Sequence, residues 1–316
     1  MKKFLSISLL LILIAIIISP QTYINVCFDA ITVWATVLLP SLLPFFIFTK
    51  LLTSLGYVKD VSNCFGKVMY KVYNSPPITS YAFFMSILTG YPVGSKLVCD
   101  LYDNNLLTKE EAKRCITFTS NSGPMFIIGS VGATMLLSKN AGYILYASHI
   151  LGALINGLVY RGRKVAVKPA PYLVTNNKND TTLSGCVMDS ISSILLIGGI
   201  VAIAFILVAL LNNLHVFEPI VYVLEKIGID ANITRSVVSG FMEITKGCID
   251  ISTLNISLYS KTVLSCAIIS FGGISTAMQS MAFLKNITTY KFFLIQKMTH
   301  MIFSTVICAI LALLII

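Results

Sequence analysis

Two lysines stand where a lipid-embedded chain can least accommodate them. Lys96 in "GYPVGSK" and Lys246 in "GFMEITK" each follow a glycine by six residues, inside stretches built otherwise from apolar and small residues. A lysine near the bilayer centre costs on the order of 2.5–3.5 kcal/mol on insertion scales, so each requires a partner or water. Where the glycine breaks a helix, the following half-helix offers free N–H groups and a positive dipole end, which join the ammonium in attracting a carboxylate. Gly90, Tyr91, Pro92, Gly94, Ser95 and Lys96 then form one candidate substrate-binding tip, and Gly240, Phe241, Thr245 and Lys246 a second. The alternative is that both lysines snorkel to an interface or pair with Asp100 and Asp250, four residues on along the same face. Glu243 has no acidic counterpart in the first tip, where Val93 stands. It is a candidate for binding a coupling proton or sodium ion, or for neutralising Lys246.

A second pair of motifs, "TSNSGP" and "SFGGIST", combines helix-breaking glycine with small hydroxyl and amide side chains in apolar surroundings. Unwound backbone at that depth has to be buried in protein or line a wet cavity. Asn121, Ser122 and Gly123 are therefore candidate site residues, as are Ser270, Gly272 and Gly273, although small residues at the latter three would equally serve close helix packing. Tyr91 and Phe241, each next to a glycine, could bracket a flat ring. His149 and Asn156 read as interhelical hydrogen-bond formers, and Gln279 could serve either purpose.

The elements that position these residues follow from composition. The 316 residues are 56% hydrophobic and only 11% charged, against about 25% charged in a soluble domain, and mean hydropathy is +0.85. This is an all-α polytopic membrane protein. The formal net charge of +10 is explained by loop cations that orient membrane spans, so no nucleic-acid partner is expected. The eight cysteines are scattered without metal-ligand spacing, and no phosphate loop, dinucleotide fingerprint or nucleophile elbow occurs. No metal, cofactor or enzymatic activity is expected.

Residues 1–25 form an N-terminal membrane span, retained or cleaved as a signal peptide, and the next segment carries Pro40 and Pro44 in "LLPSLLPFF", which should kink or break its helix. Comparing the chain with itself at an offset of 150 lays residues 86–100 on 236–250, with Ser86, Gly90, Lys96 and Asp100 matching Ser236, Gly240, Lys246 and Asp250. Ser120 and Gly123 fall on Ser270 and Gly273 at the same offset. Two repeats result, residues 26–160 and 186–316, joined by a basic linker, residues 161–185, placed in the cytoplasm. Residues 77–101 and 233–251 are too short to cross twice and read as re-entrant hairpins. Each repeat then has three crossings, an odd number that inverts the second copy relative to the first. The cations agree: Lys109, Lys113, Arg114, Arg161 and Arg163 lie in inner segments, the outer ones hold only Lys139, Lys226, Arg235 and Lys261, and Lys297 joins Lys96 and Lys246 at membrane depth. A transporter-like fold with broken helices implies a secondary carrier of a small organic anion.

The blocks "LLPSLLPFF", "LTGYPVGSK", "LLTKEEAKR" and "SNSGPMFIIGSVG" together resemble the YlbJ (SpoVV) family of sporulation integral membrane proteins, grouped with the nucleoside-recognition, or Gate, domain proteins. The likeness is close over residues 30–160 and looser beyond, where Met242 and Ile244 replace the proline and glycine of the first tip. It implies transport of dipicolinate from the mother cell across the outer forespore membrane. Alternatives are a carrier of nucleosides or other organic anions, or a sporulation membrane scaffold that transports nothing.

Overall fold

The computed structural model describes residue 10 and residues 12–162 and 182–316. The start of the expected first span and most of the basic linker lie outside the described residues.

A short helix, Ile12–Ile18, meets the next at an angle of 108°. From Pro20 the chain is helical without a gap: α1 (Pro20–Val33), a π-helical turn (Trp34–Leu38), then α2 (Leu39–Ser54). Of the kink or break expected at Pro40 and Pro44, a break does not occur: the helix runs on, with a widened turn, Trp34–Leu38, just ahead of Pro40, a residue that cannot donate to the preceding turn. The boundary expected at residue 25 falls inside α1. The next helix, α3 (Tyr57–Tyr73), buries Val61, Met69 and Tyr73 and turns Phe65, Lys67 and Val68 outward, the sidedness of a helix lying at a membrane surface.

Two sets of helices follow. The first comprises α4 (Thr79–Thr89), α5 (Val93–Asp103), α6 (Lys109–Thr119), a π-helical segment (Met125–Met135) and α7 (Lys139–Val159). After α8 (Leu183–Asn213) and α9 (Glu218–Lys226) comes the second: α10 (Ala231–Met242), α11 (Ile244–Thr253), α12 (Leu258–Phe271), α13 (Gly273–Leu284) and α14 (Tyr290–Ile315). Each helix start in the first set, moved by 150 residues, falls within two residues of a start in the second. The starts are sealed alike: Thr108 and Ser138 cap α6 and α7, and Ser257 and Thr289 cap α12 and α14, each hydroxyl accepting a backbone N–H that the helix leaves unpaired.

The equivalent helices α7 and α14 run antiparallel. Tyr160 meets the ring of Phe292, Asn156 bonds Gln296, and Gly152 packs on Ser304, so numbers rise along one helix as they fall along the other. The sets also exchange partners: α5 packs against α13, and α11 against the Met125–Met135 segment. Among the described residues, four helical stretches are long and apolar enough to cross a membrane, namely α7, α8, α12 with α13, and α14, or five if the bent N-terminal pair counts as one. Helix α4 and the Met125–Met135 segment are apolar but shorter. The all-α polytopic architecture is thus the observed one. Trp34 fastens the N-terminal helix to it, donating through Nε1 to Ile194 O at 3.1 Å with its ring lying on Gly198.

Candidate functional site

The chain breaks meet in the middle of the molecule, and glycine is what allows them to. Gly90 closes the α4–α5 tip at φ +80°, and a Cβ there would fall 2.3 Å from Gly123 N. A Cβ on Gly94 would fall 2.0 Å from Thr119 O. The first tip therefore rests backbone on backbone against the first helix break, an approach closed to any larger residue. In the second set, α10 and α11 cross at Gly240 and Gly247, where a Cβ on Gly247 would lie 2.2 Å from Gly240 Cα. Gly272 and Gly273, both at positive φ, interrupt the α12–α13 span, and Gly273 lies against Gly240 O and Met242 O. The second hairpin forms despite Met242 and Ile244 in place of proline and glycine, because Glu243 caps α11.

That cap gives Glu243 a specific task. Its carboxylate accepts the Lys246 backbone N–H at 2.7 Å and the Thr245 hydroxyl at 3.2 Å, so it occupies the helix start that an anionic ligand was expected to use. The Lys246 ammonium pairs with Asp250 at the edge of the hairpin, the alternative reading of that lysine. Lys96 lies within electrostatic reach of the Lys50–Asp189 ion pair that ties α2 to α8. Neither lysine is at the wall of the central cavity. Phe241 is turned away as well, packing edge-on against Phe271 at 4.9 Å, so Tyr91 and Phe241 do not bracket a common space.

The central cation is instead Lys297, on α14 and 1% exposed. Its ammonium donates to the Tyr91 hydroxyl, to Ser120 O at 2.9 Å and to His300 Nδ1 at 3.0 Å. Tyr91 also offers its ring face, 5.1 Å from Nζ. The polarity of the surrounding network follows from its backbone partners. His300 Nε2 faces His149 O at 2.9 Å and so carries a proton, which leaves Nδ1 to accept from Lys297. His149 Nε2 accepts the Ser122 N–H at 2.9 Å, so its Nδ1 carries the proton and donates to Ser270 Oγ at 2.9 Å. The sequence alone puts Lys297 at membrane depth and assigns it no role. The signal was present: Lys297 and His300, three residues apart, share one face of a long apolar helix.

Beside this network lies a cavity of about 50 Å³, with Tyr91, Ser122, Glu243, Thr245, Thr276 and Gln279 among its polar lining and Leu38, Phe126 and Val201 among its apolar lining. It has room for a few waters and is too small, in this conformation, for an aromatic dicarboxylate. Among the described residues, the buried Ser95 Oγ, Ser120 Oγ, Asn121 Oδ1 and Ser122 Oγ have no hydrogen-bond partner. The amide of Asn121 is committed, donating to Ser86 Oγ at 3.1 Å and Phe118 O at 2.9 Å. A separate polar hollow of about 590 Å³ opens beside α10 and α11, lined by Arg235, Ser239 and Asp250 among others, with the Arg235–Glu218 ion pair at 3.0 Å on its wall. Of the expected site residues, the structure brings Tyr91, Ser122, Gly123, Glu243 and Thr245 to the cavity wall. Gly90, Gly240, Gly272 and Gly273 lie behind them as packing contacts, Ser270 holds His149, and Lys96, Lys246 and Phe241 lie elsewhere.

Broken helices that converge on a buried polar centre, in an all-α architecture with four to five candidate spans among the described residues, define a multi-pass integral membrane protein. The chain is similar to the sporulation integral membrane protein YlbJ of Bacillus subtilis (strain 168), with 28% identity across 95% of this chain and 80% of that protein. That likeness, along nearly the whole chain, supports membership of the YlbJ family of sporulation integral membrane proteins. No family model matches the chain, and no solved structure matches it.

Proposed function

We propose that the protein is a secondary carrier of a small organic anion, dipicolinate, moved across the outer forespore membrane during sporulation, and that it is not an enzyme. One observation carries this reading: two hairpin tips and two helix breaks meet around a cavity whose wall includes Tyr91, the hydroxyl partner of a buried lysine. Backbone interruption at membrane depth is tolerated where it serves a binding site, and carriers built from repeats place that site where the broken helices meet. Lys297 supplies the cation, Gln279, Ser122 and Thr276 supply neutral hydrogen-bonding groups, and the apolar wall suits an aromatic ring. The antiparallel pairing of α7 with α14 fits alternating access, in which one set rocks against its inverted counterpart around the shared site.

Purified protein in liposomes tests the reading. Uptake of labelled dipicolinate above protein-free liposomes, with no competition from uridine, is the expected result. Correctly inserted protein that moves no dipicolinate removes the carrier reading in favour of a scaffold, and strong competition by uridine replaces the anion with a nucleoside.

A further inference from the structure

Three N–H bonds of the Lys297 ammonium meet three acceptors, and the three are unequal. Ser120 O is backbone, and the His300 ring is held from behind by its own bond to His149 O. The third acceptor, the Tyr91 hydroxyl, belongs to a side chain that forms part of the cavity wall. Tyr91 therefore stands between the buried cation and the cavity.

Among the described residues, no carboxylate lies within ion-pairing distance of Lys297, whereas Lys50, Arg235 and Lys246 each have one. Glu243, which also lines the cavity, is engaged with the start of α11. A buried ammonium held only by neutral groups is costly and retains its attraction for an anion. The hydroxyls of Ser120 and Ser122 and the Oδ1 of Asn121 are buried without partners in the segment whose carbonyl holds Lys297, which leaves two hydroxyl donors for carboxylate oxygens. On its far side the Tyr91 hydroxyl touches Gly272, where a Cβ would lie 3.1 Å away, so the turn at φ +89° makes room for it.

Resting on the carrier reading above, we propose that Lys297 is the carboxylate-binding cation of the cavity and that Tyr91 is the internal stand-in for the ligand. An entering carboxylate replaces the phenol on Lys297, and the displaced Tyr91 ring enlarges a space that is too small while it remains in place. The lysines of the two tips serve elsewhere, Lys246 with Asp250 and Lys96 beside the Lys50–Asp189 pair.

The test is calorimetric titration of the full chain in detergent with dipicolinate and with pyridine-2,6-dicarboxamide, a neutral molecule of the same outline. Lys297→Met should weaken dipicolinate binding by about tenfold or more, and Lys297→Arg should retain more affinity than the Met variant. Tyr91→Phe should bind dipicolinate at least as tightly as wild type, since the competing hydroxyl is gone. The diamide should bind wild type about tenfold more weakly than the dianion. Unchanged affinity in Lys297→Met, equal affinity for the diamide, or a loss in Tyr91→Phe as large as in Lys297→Met each overturns the assignment. Should Lys297→Met fail to fold, the diamide comparison and Tyr91→Phe still decide. Wild-type uptake together with unaltered Lys297→Met binding removes the anchor and leaves the carrier standing, whereas wild-type protein that neither binds nor transports removes the carrier itself.

Discussion

His149 Nδ1 donates to the Ser270 hydroxyl at 2.9 Å, across 121 residues of sequence, while the opposite nitrogen of the same ring accepts the Ser122 N–H. One buried imidazole thus ties the helix break of the first set to that of the second. Removing it leaves the buried Ser122 N–H without its protein acceptor, at a cost of about 1–3 kcal/mol. His149→Ala is expected to lower the unfolding midpoint of detergent-solubilised protein by several degrees and to reduce uptake. An unchanged midpoint shows that the two breaks are held together by other means.

The glycines separate into those the packing requires and those it does not. A Cβ on Gly90 would fall 2.3 Å from Gly123 N, at a φ of +80° that side chains rarely adopt, whereas a Cβ on Gly199 meets nothing within 4 Å. Gly90→Ala should therefore cost at least about 1–3 kcal/mol in strain and overpacking. Gly199→Ala, in a helix interior, should be neutral or stabilise by up to about 1 kcal/mol. Thermal unfolding of the two variants side by side checks the contrast, and equal midpoints contradict the close backbone approach.

Glu243→Gln separates the cap from the charge. Glutamine keeps an acceptor oxygen for the Lys246 N–H, so the start of α11 should persist, while the group that could exchange a proton or hold sodium is gone. The expected outcome is a folded variant whose dipicolinate uptake has lost most of its dependence on pH or sodium. Uptake with the wild-type pH and cation profile confines Glu243 to capping.

Topology gives a prediction independent of substrate. Ser184 stands at the start of α8 beside the basic linker, and Tyr160 at the end of α7 lies next to Phe292 at the start of α14, so Ile316 belongs at the opposite end of that helix pair. With the linker in the cytoplasm, single cysteines at Ser184 and after Ile316, in a background without native cysteines, should be labelled by an impermeant reagent from opposite sides. Labelling of both from one side is incompatible with three crossings per repeat.

Much of the architecture is a property of the chain taken locally. Apolar runs report solvent preference, and the glycine of "TGYPVG" and "FGGIST" marks backbone that a helix cannot continue, so the repeat offset and the positions of the breaks were legible without coordinates. Pairing of Lys246 with Asp250 was legible as an alternative for the same reason, since four residues along a helix is one turn. The unbroken course of the chain through Pro40 and Pro44 was not, because composition alone reads a kink or a break there without distinguishing them, and a π-helical turn lies ahead of Pro40. The centre of the site was decided by tertiary structure. Tyr91 and Lys297 are 206 residues apart, and no spacing rule links a hairpin tip to the eighth residue after the cap of a later helix. They meet because glycines let four interrupted elements approach backbone to backbone, and that approach buries one lysine of the three at membrane depth while leaving the other two toward the edges.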